Sequence, residues 1–356
     1  MRFLLDDEQR DFARSLDAML TAADTPAVVR AWAAGDTAPG RAVWARLAEA
    51  GVFALAVPER HDGLGPLPTE LAVTFNELGR HVVPGPVVET VAAAALLDRL
   101  GTLGDEAAAA TWLPGIASGK TAASLCLISG PGAGSGSGPA SGFGFGFGFG
   151  FGFGESPYAL DADSADAVFV VDGDTVRLTE VAGPVQPSAD PARRLSRPLG
   201  GTVLARGPRV SAAAAHAAEV AALTTAAQAL GLGRALLART VAYARQRTQF
   251  GVPIGSFQAV KHRLADALIA LEFAEPLVHA AALALAAHAE SSSAEIAAAK
   301  VSACEAACSA ARTALHLHGA LGYTEELDLS LWIRKARALR GAWGTPAACR
   351  ARVLAP

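Results

Sequence analysis

Residues 247–266 read RTQFGVPIGSFQAVKHRLAD. Two arginines, two glutamines, two phenylalanines and a proline stand together here, between long runs written mostly in alanine, valine and leucine. Gly251, Pro253 and Gly255 punctuate a helical pattern that stops before the stretch and resumes inside it. Working outward, the C-terminal part predicts long helices at roughly 211–246, 256–288, 291–318 and 326–341. Alanine is their main filler; it has the best helix propensity and lets helices approach closely, so a tight antiparallel bundle is expected.

Toward the N-terminus the character changes. TAASLCLIS, ADAVFVVDGDTVRLTEV and GGTVLARG are short β-rich runs, with Asp172-Gly173-Asp174 as a hairpin signal between AVFVV and TVRL. Before them, TPAVVRAWAAG, VWARLAEAG and ELAVTFNELGRH carry apolar residues three and four apart, while VPERHDGLGPLP has the glycine and proline density of a loop. The expected class is α+β: an N-terminal helical domain over 1–120, a small middle β domain over 121–208 and a helical bundle over 209–356. A Gly/Phe low-complexity insertion at 131–154 interrupts the β domain. Its GFGF alternation would place every Phe on one strand face, and glycine's backbone entropy opposes that order, so a flexible insertion is expected, with a Phe-studded lid or self-association patch as the alternative.

Composition narrows the function. With 356 residues, 51% of them hydrophobic, the chain can bury a sizeable core. A net charge of −4 lacks the basic surplus that a phosphate backbone demands, so no nucleic acid is expected. The start, MRFLLDDEQRDFARSLDAML, has acids where a signal peptide has its basic region and reads as an amphipathic helix. Polar residues interrupt the Ala-rich runs before they reach a membrane-spanning length, so a cytoplasmic protein is expected. Cys126, Cys304, Cys308 and Cys349 form no CxxC and have no histidine at ligand spacing, so neither a metal nor a disulfide is expected.

Five segments, in order, resemble the acyl-CoA dehydrogenase family. ARQRTQFGVPIGSFQAVKHRLAD matches the family's R-x-Q-F-G-x-P-I-x-x-F-Q signature. WARLAEAGVFALAVPERHDGLG and NELGRHVVPGP are similar to its N-terminal segments, ALHLHGALGYTEELDLSLWIRKAR to its C-terminal one, and SGPGAGSG at 129–136 to its TEPGAGSD. The resemblance implies FAD bound between the β domain and the bundle near a subunit interface, with an acyl-CoA or acyl-carrier-protein thioester against the flavin. It also implies a homo- or hetero-oligomer, and an electron-transfer flavoprotein as acceptor. Arg247, Gln249 and Phe250, with Ile254, Phe257 and Gln258 on the next turn, then reach a flavin's pyrophosphate and adenosine end. Guanidinium suits phosphate and aromatic rings cover adenine. His316 replaces the family's Gln, and Gly319-Ala320 its Gly-Gly. Ser129 and Thr345 complete the cofactor contacts, and Ser135 and Trp343 are the expected substrate contacts.

The family's base is missing. Counting from Arg334, the usual glutamate position just before Gly344-Thr345 holds Trp343, and the alternative carboxylate position on the first bundle helix holds Ala221, followed by Ala222. Neither side chain takes a proton. Glu219 is a weak candidate, because two residues of helix turn it about 200° away from position 221. The backbone N–H of residue 343 remains as a donor to a thioester oxygen. Three functions follow as expectations: a flavin-dependent α,β-dehydrogenase of acyl thioesters, a non-catalytic partner subunit of a heteromeric dehydrogenase, or a non-redox thioester enzyme on the same fold.

Overall fold

The computed structural model describes residues 5–129 and 156–355; the GFGF segment and Ser135 lie outside them. Six helices come first: α1 Asp7–Thr21, α2 Thr25–Ala33, α3 Ala38–Glu49, α4 Pro68–Arg80, α5 Val87–Thr102 and α6 Glu106–Ala117. Asp6 caps α1 in a reciprocal box with Gln9, which satisfies two orphan N–H groups. Prolines in the first turns of α2, α3 and α4 cost no hydrogen bond there and fix the start of each helix.

Among the described residues eight strands follow: β1 Ala123–Ser129, β2 Ala159–Leu160, β3 Ala167–Asp172, β4 Thr175–Thr179, β5 Val181–Ala182, β6 Leu195–Ser196, β7 Pro198–Leu199 and β8 Thr202–Arg206. The main sheet runs β1-β3-β4-β8. The expected hairpin is β3–β4, with Asp172 opposite Thr175 and Gly173 at φ +59° in the turn between them. β1 pairs with β3 in parallel. Thr90 on α5 docks this sheet to the helices, its Oγ1 donating to the Ala123 carbonyl at 2.8 Å and accepting from the Ala123 N–H at 3.0 Å.

The C-terminal part opens with α7 Pro208–Gln246, passes through the short hairpin β9 Thr248–Gln249 and β10 Val252–Pro253, and continues as α8 Gln258–Ala286, α9 Ser292–His318, α10 Leu329–Gly341 and α11 Pro346–Leu354. The bundle is thus α+β architecture's helical end, as expected. α7 is its axis and crosses α4 where both backbones lack side chains. A Cβ on Gly231 would lie 1.8 Å from the Asn76 carbonyl oxygen, and one on Gly79 1.9 Å from that of Gln228. Only glycine permits so close an approach.

One expectation needs correction. α7 and α8 are both long and apolar enough, by length and composition, to cross a membrane. Alanine, too small to read as strongly apolar, still raises the mean hydropathy over such lengths. The apolar window of α7 is 83% buried inside the bundle, whereas that of α8 is 39% buried. α8 shows solvent a stripe of Leu268, Ile269, Phe273 and Leu277.

Candidate active site

Trp343 sits in the turn between α10 and α11. Its φ is +51°, a left-handed value that a bulky residue adopts only where its surroundings impose it. Two devices hold the turn. The buried Lys300 of α9 donates to the carbonyls of Leu339 at 3.0 Å and Gly344 at 3.4 Å, tying down the end of α10. Thr345 caps α11, its Oγ1 accepting from the Ala348 N–H at 3.2 Å.

Trp343 forms one wall of a cavity of about 270 Å³. Leu125, Cys126 and Leu127 of β1, Tyr158, the segment carrying Ser188 and Arg193, and Gly341 and Ala342 at the end of α10 form the others. The cavity therefore lies where the β domain meets the bundle. Its volume falls just under the ~300–1,000 Å³ usual for small-molecule sites, room for a ring system rather than a whole dinucleotide. Cys126 is no nucleophile: burial pushes its thiol up to about 12, and its Sγ donates to the Ser156 carbonyl.

Glu89 also lines this cavity, and the sequence reading missed it. It lies in the first turn of α5, where the helix dipole favours a carboxylate. Its Oε1 accepts from Trp343 Nε1 at 3.0 Å. Burial raises its pKa, against the lowering effects of Arg193, the Trp343 hydrogen bond and Lys335. Around it runs a buried polar seam. Asp161 accepts from Trp32 Nε1 at 2.9 Å and is pushed up to about 7, chiefly by burial, while Lys335 of α10 lies 3.7 Å from Asp190. The legible signal was a single acid inside the apolar run VVETVAAAALL, since an unpaired charge rarely enters such a core without a use.

The other candidates scatter. Glu219 lines a separate cavity of about 500 Å³ between α5, α7 and the end of α8, together with His216. There it lies 3.7 Å from Arg352, and burial raises its pKa. It faces away from Trp343 as the helix geometry requires, but it is half-buried rather than solvated, because the end of α11 covers it. His216 is half-buried as well. Ala221 is fully buried in α7.

Arg247, Gln249, Phe250, Phe257 and Gln258 are exposed on the β9–β10 hairpin and the turn after it, with Ile254 half-buried. Phe250 is 93% exposed at φ +54° and meets Phe257 edge to face, ring centroids 6.2 Å apart. Arg247 is exposed and lines neither of these two cavities. His316, Gly319 and Ala320 are likewise exposed at the end of α9, where a Cβ built on Gly319 would meet nothing within 4 Å. Ser129 ends β1. Among the described residues one cluster matches metal-ligand types, Asp17, Glu77 and His81. Arg80 already lies 3.8 Å from Asp17 and 3.5 Å from Glu77, so its guanidinium balances their charge.

The N-terminal domain of acyl-CoA dehydrogenases matches residues 6–120 and their C-terminal domain residues 211–355. The acyl-CoA dehydrogenase IpdE2 of Mycobacterium tuberculosis is 32% identical over 334 residues, 92% of this chain and 91% of its own. The ChsE4–ChsE5 complex from Mycobacterium tuberculosis superposes with a TM-score of 0.80 at 24% identity, covering 99% of this chain and 98% of its own. A glutaryl-CoA dehydrogenase from Mycobacterium smegmatis in complex with FADH2 superposes at 0.79 with 18% identity, covering 98% and 94%.

Proposed function

The chain belongs to the acyl-CoA dehydrogenase family, and on that premise we propose that it oxidises an acyl thioester at its α,β bond with FAD as hydride acceptor. One observation carries the reading: the cavity beside Trp343 lies at the junction of β domain and bundle, where the resemblance seats a flavin ring against a thioester. Its volume suits a ring system, and its Leu125 and Leu127 walls suit an aromatic face. The rest of a dinucleotide would need to be held outside it, by residues that a second chain would supply.

The β9–β10 hairpin fits that role. A bare phenylalanine held in a left-handed conformation and an arginine without an ion partner among the described residues suit a pyrophosphate and adenine bound across a subunit boundary. FAD, when bound, supplies the two-electron oxidation. This chain's part is to seat the thioester, donate from the backbone N–H of residue 343 and exclude water. The delivering group is CoA or an acyl carrier protein, and an electron-transfer flavoprotein is the family's acceptor.

A second reading makes the chain a partner subunit of a heteromeric dehydrogenase. Trp343 and Ala221 at both family base positions favour it. The visible spectrum of the chain, purified alone and again with any co-purifying relative, separates the two. A flavin band from the chain alone supports the first reading, and a band found only in the mixed preparation supports the second. Colourless protein in both preparations contradicts both and leaves a non-redox thioester enzyme.

A further inference from the structure

The two family base positions are empty of acids, yet the cavity is not. Glu89 is 2% exposed, its Oε1 is held by the Trp343 indole N–H, and its buried Oε2 has no hydrogen-bond partner among the described residues. A buried carboxylate oxygen left without a donor is costly unless it serves a purpose. We propose that Glu89 is the base that takes the α-proton of the thioester, with the carboxylate moved from the α10–α11 turn to the start of α5 and Trp343 positioning it. This assignment rests on the dehydrogenase reading.

In the step, the Cα–H bond breaks and its proton forms an O–H bond on the Glu89 carboxylate. The electron pair left behind would form the Cα–Cβ double bond, for which a bound oxidised flavin would supply the acceptor of the Cβ hydrogen and its two electrons. Glu89 ends as a neutral acid, the form its burial favours. The charged groups of the surrounding elements are Arg193 from the segment before β6, Lys335 of α10 with Asp190, and Asp161 after β2. Burial strengthens the carboxylate as a base toward a weak carbon acid, while Arg193 and Lys335 favour its charged form.

The test measures exchange of the thioester's α-hydrogen for deuterium in heavy water without oxygen, read by mass spectrometry on the recovered acyl-CoA, beside bound flavin. Glu89→Gln is expected to keep its flavin and lose exchange by about 100-fold or more, the usual worth of a positioned base. Glu89→Asp restores part of it. Trp343→Phe lowers exchange less than Glu89→Gln and moves its acidic limb to higher pH, because the carboxylate loses a stabilising donor; a purely structural Glu89 would not move that limb. Wild-type exchange rates in Glu89→Gln, or an unmoved limb in Trp343→Phe, overturn the assignment. Should Glu89→Gln fail to fold, the Glu89→Asp and Trp343→Phe profiles decide. Wild-type protein that exchanges through Glu89 but binds no flavin keeps the assignment and sinks the dehydrogenase reading. Protein that binds flavin and thioester but never exchanges does the reverse.

Discussion

At the scale of single residues, two buried carboxyls, Asp161 in the seam and Glu77 beside Arg80, set how stability follows pH. Asp161 has a folded-state pKa raised from 3.8 to about 7, and Glu77 one raised from 4.5 to about 7, burial being the first cause for both. Between those limits the folded chain binds more protons than the unfolded one, so each contribution is complete below the ordinary value and is lost as pH rises through about 7. The melting temperature is therefore expected to fall from pH 5 toward 7, about the span of those shifts. Asp161→Asn flattens that slope in thermal denaturation series. Trp32→Phe leaves Asp161 without its indole donor and costs about 1–3 kcal/mol, read by denaturant unfolding at pH 7. Glu89 shows why such groups escape a linear reading. Its partner Trp343 lies on a turn far along the chain, and only the fold brings the indole N–H within 3.0 Å of it.

Among the elements, the crossing of α4 and α7 tolerates no side chain. Gly231→Ala would set a methyl 1.8 Å from a backbone oxygen and force the helices apart, destabilising by about 1–3 kcal/mol in chemical denaturation. The helices themselves were legible, since apolar spacing and alanine-rich runs placed each long bundle helix within a few residues of its observed span. The parallel pairing of β1 with β3 was not, because residues on each strand carry no local mark of a partner separated by the whole insertion. The break after α7 was legible through glycine and proline; the hairpin that fills it and its exposure were not, since RTQFG reads the same on a core edge and on a projecting loop. Phe250→Ser is expected to leave the melting temperature unchanged, because the ring is 93% exposed, and to reduce retained flavin measured after gel filtration.

Across the whole molecule, two surfaces ask for company: the β9–β10 hairpin and the apolar stripe of α8, where Phe273 is 71% exposed. Size-exclusion chromatography with light scattering is expected to give a dimer or tetramer, and Phe273→Asp to shift it toward monomer. The dehydrogenase reading joins these surfaces to the cavity beside Trp343: a flavin ring in one chain, its nucleotide end held by the next, and a thioester between ring and Glu89. The direct measurement is anaerobic addition of acyl-CoA to the FAD-loaded protein, following the flavin's visible band. Bleaching of that band with formation of the α,β-unsaturated thioester is the expected result. A band that stays unchanged while acyl-CoA binds would contradict the account.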